Sequence, residues 1–142
     1  MTSLSVNIPK LKNLMHAMPE ITAAYLFGSA AEGGPVVNDL DLLVLTFPGV
    51  NQDQAYFDIL SRMANELGLA EEKIDLVFFD LETTDPWVLH SAITTGDILT
   101  NKDQKFLADR IEELSLFFLV NETFLVRAKK LRDEQLEDFC SA

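Results

Sequence analysis

The run Ile21-Thr22-Ala23-Ala24-Tyr25-Leu26-Phe27 reads as a buried strand that stops at Gly28-Ser29, and a second apolar run, Leu40 to Leu45, begins only one loop later. This spacing constrains the fold more than any other feature. The loop between them, with Gly33, Gly34 and Pro35, is too short for an ordinary crossover helix, so the two strands are expected to pair antiparallel. A third strand is expected from about Ile74 to Phe79, after a helical stripe of Tyr56, Ile59, Leu60, Met63 and Leu67 that Gly68 closes as a C-terminal cap. The sheet should therefore be mixed.

Pro9 suits the first turn of a helix that places Leu11, Leu14, Met15 and Met18 on one face and ends near Pro19. Asp85-Pro86 has the form of an N-cap followed by proline at the first helical position, opening a short helix through Trp87, Leu89 and Ile93 to Gly96. Ile98-Leu99 reads as a short edge strand. From Asp103 to about Phe139 neither proline nor glycine interrupts, and Leu107, Ile111, Leu114, Phe118, Asn121, Leu125 and Ala128 recur at alternating four- and three-residue steps. That stretch is one long helix, or two with a break near Asn121-Glu122-Thr123. The fold class is α/β of the mixed α+β kind: a small mixed sheet with packed helices and a long C-terminal helical segment. Residues 1–142 are expected to form one domain, with a core over about 21–105 and a helical extension over about 103–139.

With 48% apolar residues in 142, the chain can cover one well-formed core. Its 11 basic and 23 acidic side chains give a formal charge of −12, which repels nucleic acid unless a basic stripe or bound cations reverse the field locally. Direct nucleic-acid binding is not expected. Cys140 is the sole cysteine, so no intrachain disulfide can form and nothing calls for an oxidising compartment. The first residues lack a basic stretch followed by an apolar one, and no apolar run reaches the roughly 18–20 residues of a membrane span. A cytoplasmic protein with no membrane partner is expected.

The chemistry concentrates between Leu26 and Val44. Gly28-Ser29 ends a buried strand, where the backbone can approach an anion closely and offer an unobstructed N–H and a hydroxyl to a phosphate oxygen. Asp39 and Asp41 are two apart at the start of the next strand, so both carboxylates project from one face while Leu40 and Leu42 point to the other. Two such carboxylates raise each other's pKa, a cost that Mg²⁺ or Mn²⁺ removes by taking their oxygens as ligands. Asp75 lies inside the otherwise apolar strand Ile74–Phe79, where an ionised carboxylate would be costly without a partner or metal. If that strand neighbours Leu40–Leu45, all three acids reach one side of the sheet. Three carboxylates beside a phosphate-binding turn suit two-metal transfer of a nucleotidyl or phosphoryl group, the third acid taking the nucleophile's proton or holding the second metal.

Phe27-Gly28-Ser29 followed by Asp39-Leu40-Asp41-Leu42-Leu43-Val44 resembles the signature of the minimal nucleotidyltransferases, the MNT branch of the polymerase-beta-like superfamily. Asp75 matches the family's third carboxylate, and Trp87 to Leu99 resembles its helix, glycine and short strand after the core, so the likeness covers about residues 21–105. The resemblance implies a nucleotidyltransferase fold and transfer of NMP from an NTP, with ATP as the expected substrate and Mg²⁺ or Mn²⁺ as cofactor. It implies Asp39, Asp41 and Asp75 as catalytic and metal-holding residues, with Gly28 and Ser29 on the nucleotide. Stand-alone members of this size include MntA-type antitoxins that adenylylate a tyrosine of a HEPN-domain ribonuclease toxin, which makes such a toxin the implied partner. The chain departs from the pattern twice. Nine residues, Ala30 to Asn38, separate Gly-Ser from Asp-x-Asp where the family usually has ten, and no Lys or Arg occurs between Lys12 and Arg62. Neutralisation of a triphosphate then falls to metal, backbone N–H groups, or Arg62, Lys105, the Arg127–Arg132 segment or a partner. A binder that blocks a toxin without chemistry, and a transferase acting on a small hydroxylated molecule, are the alternatives, and a homo- or hetero-oligomer is compatible with each.

His16 and His90 have no second ligand at metal spacing, and Tyr25 and Trp87 read as packing residues. The run Leu116-Phe117-Phe118-Leu119-Val120 is apolar around the whole helix, which suits either a helix clasped in the core or a partner-binding patch.

Overall fold

A computed structural model describes residues 7–28 and 39–141. Ser29, the loop from Ala30 to Asn38 and the side chain of Cys140 lie outside the described residues. In chain order the elements are α1 (Ile8–Ala17), β1 (Ile21–Phe27), β2 (Leu40–Thr46), α2 (Gln52–Leu67), a 3₁₀ turn (Glu71–Lys73), β3 (Ile74–Phe78), α3 (Pro86–Thr95), β4 (Asp97–Asn101), α4 (Gln104–Val120) and α5 (Glu122–Ser141). The chain divides into two compact units, Met1–Ala108 and Asp109–Ala142.

The first unit holds one sheet in the order β3-β2-β1-β4. β1 pairs antiparallel with both β2 and β4, while β2 and β3 run parallel, joined through α2. The short connection after β1 and the longer helical one after β2 dictate this mixed arrangement. Leu26, Leu42, Val44, Ile74 and Leu76 project from one sheet face into a core with Leu11, Leu14 and Met15 of α1 and Ile59, Leu60 and Met63 of α2. Tyr25, Leu43 and Leu45 are buried on the other face, and Leu89 and Ala92 are the buried residues of α3.

Local chemistry fixes the helix ends. Asn7 and Asn51 accept from the backbone N–H groups of Lys10 and Gln54, and Asp85 accepts from Trp87 at 2.8 Å with Pro86 at the first helical position. Gly68 closes α2 in the left-handed conformation at φ 67°. At the end of α3, Gly96 lies against β1. A Cβ there would press on the Ala92 carbonyl and come within 2.8 Å of the Leu26 carbonyl and 3.3 Å of the Phe27 Cβ. Gly96→Ala is therefore expected to cost about 1–3 kcal/mol through overpacking, lowering the melting temperature by roughly 3–10 °C in a domain of this size. A thermal shift below about 1 °C would contradict this packing.

The C-terminal stretch is two helices, with the break at Asn121, whose side-chain amide donates to the Phe117 carbonyl at 2.9 Å. The apolar run before it divides by exposure. Phe117 and Phe118 are half-buried and stack edge to face, whereas Leu116, Leu119 and Val120 face solvent. β4 extends over five residues, longer than the pair Ile98-Leu99 suggests, because antiparallel pairing with β1 continues to Ala23↔Asn101.

Candidate active site

The site forms where β1 ends and where β2 and β3 begin. Register brings its parts together: Phe27 lies opposite Asp41 in the β1–β2 pair, and Asp41 lies beside Asp75 in the β2–β3 pair. Since paired residues share a sheet face, both carboxylates stand on the face opposite Leu40 and Leu42. Gly28 turns the chain away at φ 71°, and its backbone passes so near β2 that a Cβ there would run into the Asp41 carboxylate. Only glycine meets both demands.

Asp41 is the half-buried member of the set, and its carboxyl is pushed up to about 6. Burial is the largest cause; the charge of Asp75, a hydrogen bond with Asp75, and then the charge of Asp39 add to it. Asp41 therefore carries a proton at mildly acid pH. Asp75 itself is exposed, which corrects the expectation of a costly buried charge: β3 is an edge strand, and its burial alternates between buried and exposed at its first residues. The desolvation falls on Asp41 instead, because β2 is a central strand buried on both faces.

Asp39 precedes β2 and is exposed, acting on Asp41 through its charge. Among the described residues, no three His, Cys, Asp or Glu side chains converge as a ready-made metal cage. The donor set still fits a hard divalent cation. The Asp41 and Asp75 carboxylates offer only oxygen, and a bound cation would favour the ionised form of Asp41. Tyr25 is buried on the same face, and burial raises its hydroxyl pKa. It serves packing, as its place in a strand suggests.

Other residues singled out from the sequence lie elsewhere in the fold. His16 Nδ1 and the Thr100 hydroxyl are 3.0 Å apart, tying α1 to β4. Arg62 is exposed on α2, and Arg127, Lys129, Lys130 and Arg132 are exposed on α5. Sequence reasoning did not identify Asp41 as the acid with the most perturbed titration. The signal was present in the strand count, since the strand flanked by two others bears the burial.

A sheet of this order, with a positive-φ glycine against an Asp-x-Asp strand and a third acid on the parallel neighbour, defines a nucleotidyl-transfer scaffold. The chain belongs to the polymerase beta nucleotidyltransferase family, whose model matches residues 9–105. Among solved structures it is similar to a toxin–antitoxin complex with AMP-PNP, at 20% identity and TM-score 0.66 over 89% of this chain and 99% of that one. It is also similar to a variant MntA–HpeT toxin–antitoxin complex with two aspartates replaced by glutamate, at 19% identity and TM-score 0.66 over 89% and 99% of the two chains. A third likeness is to the complex of a tri-AMPylated Shewanella oneidensis HEPN toxin with MNT antitoxin, at 19% identity and TM-score 0.60 over 88% and 95%. At these identities the likeness is one of fold. No protein with curated function matches the chain by sequence.

Proposed function

We propose that this protein transfers AMP from ATP to a protein partner, a HEPN-type ribonuclease toxin, and so acts as its antitoxin. The pairing of Asp41 with Asp75 beside Gly28 carries the reading, because it places an anion-tolerant turn next to acids poised to accept a cation. The similar structures supply the partner class, a HEPN toxin modified by AMP and bound to MNT antitoxin in one of them. The whole chain is read as one nucleotidyltransferase domain with a helical extension.

In this reading Asp39, Asp41 and Asp75 would hold Mg²⁺ or Mn²⁺, which would supply charge neutralisation for the triphosphate and Lewis-acid polarisation of the α-phosphate. The Gly28 N–H and Ser29 orient the phosphates. Asp75, exposed to solvent, accepts the proton of the attacking tyrosine hydroxyl. Attack forms the tyrosine–phosphate bond and releases pyrophosphate. The arginine-free segment between Lys12 and Arg62 favours a second reading, neutralisation by contact alone.

Intact-mass analysis separates the two. A HEPN toxin partner incubated with this protein, ATP and Mg²⁺ is expected to gain one or more adenylyl groups, and to gain none with Asp75→Asn. Stable binding and toxin neutralisation without a mass change would overturn transfer and leave the contact reading.

A further inference from the structure

One side of the second unit is patterned along its length. Leu114 is buried in α4, and on the side of the helix away from it Leu116, Leu119 and Val120 are 51%, 70% and 80% exposed. At four-residue steps the row continues through Phe124, 69% exposed, and it reaches Leu131, 59% exposed, in α5. The same row carries exposed Glu112 and Glu113 before the apolar stretch and exposed Arg127 and Lys130 after it. Read along the helices it is acidic, then apolar, then basic.

We propose that this row is a contact surface for a second copy of the chain, the two copies pairing antiparallel about Val120. Two-fold pairing sets Leu116 of one copy across from Phe124 of the other and brings the two Val120 side chains together. It also sets Glu112 and Glu113 of each copy against Arg127 and Lys130 of the other. A parallel pair would instead align like charges at both ends, and a partner of uniform charge would meet repulsion at one end of the row. The antiparallel copy is complementary over the stretch from Glu112 to Lys130. Association covers apolar side chains that otherwise stand in water.

Sedimentation velocity on the full chain tests this at about 0.1 M salt, where exposed charges still act across an interface. The wild type is expected to run as a dimer that weakens as salt rises. E112K/E113K makes the row basic at both ends, and R127E/K130E makes it acidic at both ends. Each variant alone should lose at least about tenfold in self-affinity, and an equimolar mixture of the two should pair again. Restoration on mixing also shows that both variants are folded. Val120→Glu should remain monomeric whatever it is mixed with. The proposal is overturned by a wild type that stays monomeric at about 100 µM, by a charge variant that pairs as well alone as the wild type does, or by a mixture that does not pair. It is likewise overturned if Val120→Glu leaves self-association unchanged while abolishing HEPN toxin binding, which would assign the row to the toxin.

Discussion

Asp41→Asn is expected to make the metal-free protein more stable at neutral pH and to leave it without transferase activity. In the folded chain the Asp41 carboxyl is raised to about 6, against roughly 3.9 for an aspartate in an unfolded chain. Between those values the folded state holds a proton that the unfolded state has released, so stability falls as pH rises. The contribution is complete below about pH 4 and lost above about pH 6. Asparagine cannot ionise and escapes the loss. After allowing for screening by water around a half-exposed group, the gain at pH 7–8 should be about 1 kcal/mol, or roughly 3 °C in melting temperature. The difference should vanish near pH 4. Mg²⁺ should stabilise the wild type at pH 8 and not the variant, because binding to the ionised pair favours the folded state by mass action. Adenylyl transfer should fall by at least about 10²–10³-fold, the usual cost of removing a group that stabilises transition-state charge. Melting curves across pH, with and without Mg²⁺, measure the first part and a transfer assay the second. A variant that melts lower than the wild type at pH 8 would make Asp41 a structural acid.

Gly28→Ala should separate backbone strain from damage to the site. An L-residue at φ 71° costs about 1–2 kcal/mol, and the added methyl also collides with the Asp41 carboxylate. Gly68 provides the control. It has nearly the same conformation, φ 67°, but no heavy atom lies within 4 Å of where its Cβ would stand. Both alanine variants are expected to lose stability. Only Gly28→Ala should lose activity, by about 10²-fold, since displacing a reacting group by an ångström is enough for that. Equal kcat/KM values for the two variants would remove Gly28 from the site.

Much of the fold is legible in the sequence because it rests on short-range chemistry. Asp85-Pro86, Gly68 and the apolar face of α1 act through neighbours one to four residues away, and each begins, ends or orients its helix as its spacing suggests. The antiparallel β1–β2 pair follows from loop length. The exposure of Asp75 does not, because it depends on β3 lying at the sheet edge, which strand composition does not encode. The division within 116–120 was hidden for a similar reason. An apolar residue on every side of a helix gives no periodic signal, and exposure alone separates Phe117 and Phe118 from Leu116, Leu119 and Val120. Gly28, Asp39, Asp41 and Asp75 were readable as candidates from spacing. Which of them bears the desolvation was not, since that depends on the order of strands.

β2 has apolar residues on both faces, Leu40, Leu42 and Val44 toward α1 and α2, and Leu43 and Leu45 on the other side. A strand of this kind loses little hydrophobic energy if it slips by one residue against its neighbours, so greasiness alone cannot proofread its alignment. Asp41 can. A slip of one position would drive its carboxylate in among Leu11, Met15, Ile59 and Met63, where nothing can pair with it. The acid proposed for chemistry therefore doubles as a folding checkpoint, and a lineage that discarded the reaction would still have reason to keep a polar side chain at this position.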